Sequence, residues 1–313
     1  MHGHHHDHQG GGRTGAAPFI IGIVITLTFA VVEFTFGWIA GSLALMGDAA
    51  HMASDSLALA LAASAAWLAQ RPASQRHTFG LGRAEVLAAM INATVMLVIV
   101  GALSLAAVQR LLEPRPVEGN IVFIVGSIGL LLNLALAVVL LRGERTLNNK
   151  GALLHVLGDL MGSLAAITAG VVIILTGFTP IDPILTLFIC SLILVAALRL
   201  LREAAHIVME GVPHHIRLDE VGLAMADDAG VHSVHDLHIW ALSSEQTALS
   251  AHVVLHDIKD WPAVHWRLEA MLAERFKIGH ATLQPEPAVL GSAKPDELQG
   301  LRKGSKRAEG DES

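Results

Sequence analysis

Ser42-Leu43-Ala44-Leu45-Met46-Gly47-Asp48-Ala49-Ala50-His51-Met52-Ala53-Ser54-Asp55 opens an apolar run that continues to Leu68. About 20 such residues cross a hydrocarbon layer of about 30 Å as a helix, so the stretch is read as a membrane span. Asp48, His51 and Asp55 are spaced by three and four and therefore share one helical face. A carboxylate at mid-bilayer costs about 2.5–3.5 kcal/mol on insertion scales, so a span that carries two of them calls for a function. The arrangement recurs: Gly47-x-x-x-His51-x-x-x-Asp55 is matched by Gly151-x-x-x-His155-x-x-x-Asp159 in a second apolar run.

Two facing His-xxx-Asp pairs supply two imidazole nitrogens and two carboxylate oxygens. That is a tetrahedral ligand set for Zn²⁺ at about 2.0–2.2 Å. The dication offsets the cost of burying the carboxylates, and they offset its dehydration. Asp48, one turn nearer the exterior, is read as an exit ligand, a helix-start residue or a water-exposed acid. Glu33, Asn92 and Asn133 are further polar residues inside apolar runs. Hydrogen bonds between helices are the plain reading for all three, and lining the ion path is an alternative, above all for Glu33.

The rest of the composition agrees with a membrane protein. Of 313 residues, 53% are hydrophobic and 16% charged, with a mean hydropathy of +0.54. Six apolar runs are read near 18–40, 42–68, 84–112, 121–141, 152–177 and 181–201, and the first is too long for a signal peptide. Arg13, Arg71, Arg76, Arg83, Arg142, Arg145 and Lys150 fall on one side of these spans, which puts both termini in the cytoplasm. Cys190 is the single cysteine, which excludes an intrachain disulfide and paired-thiolate metal sites. A formal charge of −7 and the lack of a dominant basic tract exclude a nucleic-acid partner.

Four regions follow: a His-rich cytosolic tail at 1–17, a six-helix membrane domain at 18–208, a cytosolic domain at 209–290 and a disordered polar tail at 291–313. In the third, 218–229 reads as a helix, 234–242 and 248–255 alternate as strands, 261–276 is an amphipathic helix and 281–284 a last strand. The order α-β-β-α-β is that of a small α+β domain. Of 18 histidines, five lie between His2 and His8 and ten between His206 and His280, a clustering that points to metal. His232, His238 and His256 are read as surface or interface residues, and the N-terminal cluster with His214-His215 as weak metal collectors.

Taken together, these motifs resemble the cation diffusion facilitator family, the zinc transporter family of bacteria and eukaryotes. The resemblance is carried by the stretch from Ser42 to His51 and by Arg76-His77-Thr78-Phe79-Gly80-Leu81-Gly82-Arg83-Ala84-Glu85. It is also carried by Leu154-His155-Val156-Leu157-Gly158-Asp159, Val234-His235-Asp236-Leu237-His238-Ile239-Trp240 and Ala281-Thr282-Leu283-Gln284-Pro285-Glu286. It implies a homodimeric, multi-pass exporter of the bacterial inner membrane that exchanges cytosolic Zn²⁺, or Cd²⁺ or Co²⁺, for protons through His51, Asp55, His155 and Asp159. It further implies a ferredoxin-like, metallochaperone-type cytosolic domain with a regulatory metal site at His235, His252 and Glu286, with His280 or His265 nearby. Gly279 stands where many relatives have another histidine. His77 is a weak candidate, because relatives with a metal there place a second histidine at the position of Leu81.

Other classes are weighed on the same residues. No His-Glu-x-x-His pair and no phosphate-binding glycine loop is present, so neither a zinc protease nor an ATP-driven pump is expected. A metal-sensing membrane protein, binding metal with its cytosolic histidines without transport, is the alternative. A passive channel would differ in running without a proton gradient.

Overall fold

The computed structural model describes residues 16–142, 147–243 and 246–288, with side chains from residue 24 onward apart from 139, 140, 142 and 147–157. The histidines between His2 and His8 and the polar C-terminal tail lie outside the described residues. Six long helices come first: α1 (Ala16–Ala40), α2 (Leu43–Ala69), α3 (Ala84–Leu112), α4 (Gly119–Arg142), α5 (Leu147–Thr176) and α6 (Ile181–Val208). Stretches of α2 to α6 are long and apolar enough to cross a membrane, and the part of α1 with described side chains, Val24–Ala40, is a shorter apolar helix. The six spans read from the sequence are therefore present, and α6 runs past 201 to Val208.

The chain divides into two compact units, one holding residues up to 60 together with 94–198, the other 61–93 with residues from 199 onward. In the first unit the polar start of α2 is closed by a carboxylate from α6. Asp182 accepts from Leu43 N at 2.8 Å, from Ala44 N at 3.3 Å and from Ser42 Oγ at 2.5 Å. Ser42 Oγ in turn accepts from Leu45 N at 3.2 Å. The first backbone donors of a helix have no partner within it, and this arrangement satisfies them without water. Gly41, at φ +68, makes the turn before α2, and its carbonyl accepts from Arg110 Nη1 at 2.6 Å. Between α4 and α5 the backbones come close: a Cβ on Gly170 would lie 2.7 Å from Phe123 N.

In the second unit, α7 (Leu218–Ala226), β1 (Val231–Ala241), β2 (Thr247–Leu255), a 3₁₀ turn (Ile258–Asp260), α8 (Trp261–Phe276) and β3 (His280–Pro287) follow. The sheet order is β1-β2-β3, with β1 antiparallel to β2 and β3 parallel to β2. The alternating strand residues Val231, Val234, Ile239, Leu249, Ala251, Val253 and Leu255 meet Val221, Met225, Val264, Leu268 and Leu272 of the helices in one apolar core. The α-β-β-α-β order expected from the sequence is the one observed. β1 starts three residues earlier than its alternation indicates, because Val231 pairs with Leu255 at the edge of the same core.

Candidate metal centres

Among the described residues, two groups of three side chains bring ligand atoms within 4.8 Å of one another: His51, Asp55 and Asp159, and His235, His252 and Glu286. They are built on different secondary structure.

The first lies between α2 and α5. His51 Nδ1 is 3.5 Å from Asp55 Oδ2, one turn along its own helix, and His51 Nε2 is 3.6 Å from Asp159 Oδ1 on α5. The two spacings use opposite nitrogens of one ring, so an ion at about 2.0–2.2 Å from its ligands would take His51 through one of them, with one atom from each of the three residues within 4.8 Å of the others. Closer to the start of α2, Asp48 is 1% exposed and lies against α5 at Gly162, where an added Cβ would come into collision with its carboxylate. It accepts from Ser163 Oγ at 3.2 Å, and Ser163 Oγ accepts from Asn133 Nδ2 at 3.3 Å. Asp48 thus faces a hydrogen-bonding chain and stands outside the group of three. Glu33 of α1 is 0% exposed, within electrostatic reach of Asp48 and Asp159.

The pairs 51 with 159 and 48 with 162–163 run in opposite sequence directions, so α2 and α5 are antiparallel here. One turn back along α5 from Asp159 is residue 155, level with Asp55. The His155 side chain itself lies outside the described residues.

The second group stands on the sheet. His235 of β1 and His252 of β2 are cross-strand partners, with ring centroids 5.0 Å apart. Glu286 of β3 reaches both: its Oε2 is 3.0 Å from His235 Nε2 and its Oε1 is 2.7 Å from His252 Nδ1. The hydrogen bond from His252 holds the Glu286 carboxyl below its ordinary range, and that from His235 acts the same way. Next to it, Asp236 is also held below the ordinary carboxylate range, chiefly by a hydrogen bond from His238. The sequence did not single out Asp236; its signal was an acid inside an otherwise alternating strand.

The remaining sequence candidates sit elsewhere. His280 opens β3 with its ring edge-on to Phe79 at 5.6 Å, and His265 Nδ1 is 3.6 Å from Glu269 Oε2 within α8. Neither joins the group around Glu286. His77 is exposed in a turn closed by Ser74 and joins no group of three among the described residues.

Comparison with known proteins agrees with both halves of the molecule. Residues 19–209 match the cation efflux transmembrane domain, and residues 213–288 match the cytoplasmic domain of cation efflux proteins. The zinc transporter ZitB of Yersinia pestis is 39% identical over 85% of this chain and 86% of its own length. The metal cation efflux system protein CzcD of Cupriavidus metallidurans is 38% identical over 91% and 90%. A protein of Bacillus velezensis named cadmium, cobalt and zinc/H(+)-K(+) antiporter is 34% identical over 92% and 93%. With matches along both domains and relatives alike over nearly their whole length, the chain belongs to the cation diffusion facilitator family of metal cation efflux transporters.

Proposed function

We propose that the chain exports Zn²⁺, with Cd²⁺ and Co²⁺ as further substrates, from the cytosol in exchange for protons. The observation that carries this reading is the meeting of His51, Asp55 and Asp159 in two helices with stretches long and apolar enough to cross a membrane. His155, one turn before Asp159, is the fourth ligand, and Asp48 stands on the exterior side as an exit residue. The imidazoles suit Zn²⁺ and Co²⁺ better than Mg²⁺ or Mn²⁺.

Proton exchange follows from the ligand chemistry. An imidazole binds metal only when neutral, so arriving protons release the metal and arriving metal releases protons. One relative's name joins protons to potassium as exchanged ions; the residues here give a direct reason for the proton. His235, His252 and Glu286 form a regulatory metal site in a cytosolic domain that also dimerises. Both termini face the cytoplasm of a bacterial inner membrane.

The test is metal-stimulated proton flux in proteoliposomes with Zn²⁺, Cd²⁺, Co²⁺ and Mn²⁺. The Asp55→Ala, Asp159→Ala double variant is expected to lose the flux for every metal. Undiminished flux in that variant overturns the assignment, and transport indifferent to an imposed pH gradient overturns the exchange.

A further inference from the structure

We infer that Asp236 is the positioning residue of the cytosolic metal site: it holds His252 by the ring nitrogen turned away from Glu286, and His238 holds Asp236. The inference rests on the reading of His235, His252 and Glu286 as metal ligands.

The backbone delivers the first argument. In a regular strand, residue 236 would point to the opposite face from His235. The pairing of β1 with β2 is not regular there: His235 pairs with His252, but the next partners are His238 and Ser250. Three steps along β1 match two along β2, so β1 carries one extra residue, a β-bulge. Asp236 occupies it at φ +52, in the left-handed region where Asp and Asn are the most tolerated residues after Gly. A bulge re-aims a side chain, and this one turns the Asp236 carboxylate to the face of the histidines.

The second argument is where that carboxylate ends. His252 Nδ1 lies 2.7 Å from Glu286 Oε1, while His252 Nε2, across the ring, lies 3.6 Å from Asp236 Oδ2. At 3.6 Å the contact is an ion-pair distance, longer than a hydrogen bond. The other oxygen of Asp236 is fixed by His238 Nε2 at 2.9 Å. A metal-bound imidazole carries its proton on the free nitrogen, and a carboxylate there fixes both tautomer and ring orientation. His238, which points to no metal group itself, gains a role as the outer anchor.

The measurement is Zn²⁺ affinity and stoichiometry of the full-length protein in nanodiscs, by competition with a chromophoric chelator. The background carries Asp55→Ala and Asp159→Ala and lacks the five N-terminal histidines, so the transport site and the tail do not contribute. Asp236→Gly suits the left-handed backbone and removes the side chain with its carboxylate, and Asp236→Asn keeps the size. Both are expected to weaken the cytosolic site by roughly ten- to a hundredfold at unchanged stoichiometry. The Co²⁺ absorption spectrum of the saturated site is expected to keep its shape. Wild-type affinity in Asp236→Gly overturns the inference, and so does a stoichiometry lowered by one or an altered Co²⁺ spectrum, which would make Asp236 a ligand. His252→Ala and Glu286→Ala are expected to remove the site outright. If they leave it intact, the underlying metal reading fails, whatever Asp236 does.

Discussion

The membrane helices and the cytosolic domain place their polar groups in opposite ways. Among the described residues, every buried polar or charged residue belongs to the helical part: Glu33, Ser42, Asp48, Ser54, Ser56, Asn133, Asp159, Ser163, Asp182 and Thr186. The cytosolic core is apolar throughout, and its metal candidates lie at the surface of the sheet, partly exposed. The helical part turns its large apolar side chains outward, with Leu105 at 68% and Leu131 at 65% exposure. In water, apolar burial drives folding and polar groups stay outside. In lipid no such gradient favours an apolar interior, so hydrogen bonds and close small-residue contacts hold helices together, and polar residues gather where an ion must pass.

The contrast predicts unequal responses to mutation. Leu249, 0% exposed in the cytosolic core, is expected to cost about 2–5 kcal/mol as Leu249→Ala. Leu105→Ala, on the outward face of α3, is expected to change stability little. Thermal melts of the two purified variants check the difference, and equal losses would mean that the helical part is also held by a hydrophobic core.

Gly162→Ala probes the buried polar chain of the helices. Its new Cβ would meet the Asp48 carboxylate, sealed between α2 and α5, and overpacking of this kind costs about 1–3 kcal/mol. Transport by Gly162→Ala is expected to fall by roughly five- to 150-fold where that cost falls on the transport cycle. Zn²⁺ binding at the cytosolic group is expected to stay unchanged, and a parallel loss there would contradict the separation of the two sites.

The smallest effect lies on the water side. Asp228 receives two hydrogen bonds of 2.7 Å from Arg267, which hold its carboxyl below the ordinary value of 3.8. A depressed carboxyl stabilises the fold above that ordinary value and loses its contribution as pH falls through the depressed one. Arg267→Ala is therefore expected to melt slightly lower than wild type at pH 7, and the two curves are expected to converge only as pH falls below 3.8. A gap that stays constant with pH would show that the pair contributes through packing alone.

What the sequence made legible follows from the range of each signal. Spans are encoded by some twenty consecutive residues, and His51 and Asp55 share a face by spacing alone, so both could be read locally. The antiparallel meeting of His51 with Asp159 could be anticipated because the motif repeats. Asp182 closing the start of α2 could not, because it reaches across 139 residues and nothing in its neighbourhood names its partner. Nor could Asp236: alternation assigns it to the wrong face, and only the pairing with β2 shows the extra residue. The family resemblance sets His280 near the metal site, yet its ring packs on Phe79 instead.

The closure of α2 by Asp182 has a mechanical consequence. A rod fastened at one end moves least at the fastening and most at the far end. From Leu43 to His51 is about 12 Å along the axis, and to Asp55 about 18 Å, at about 1.5 Å per residue. A swing of about 5° about the fastening would carry His51 by about 1 Å and Asp55 by about 1.6 Å, with Leu43 nearly still. That difference of about 0.5 Å exceeds the tolerance of about 0.2 Å of a metal–ligand bond. A swing about that fastening would therefore displace Asp55 further than His51, with Asp182 as the fulcrum and the length of the helix as the gain.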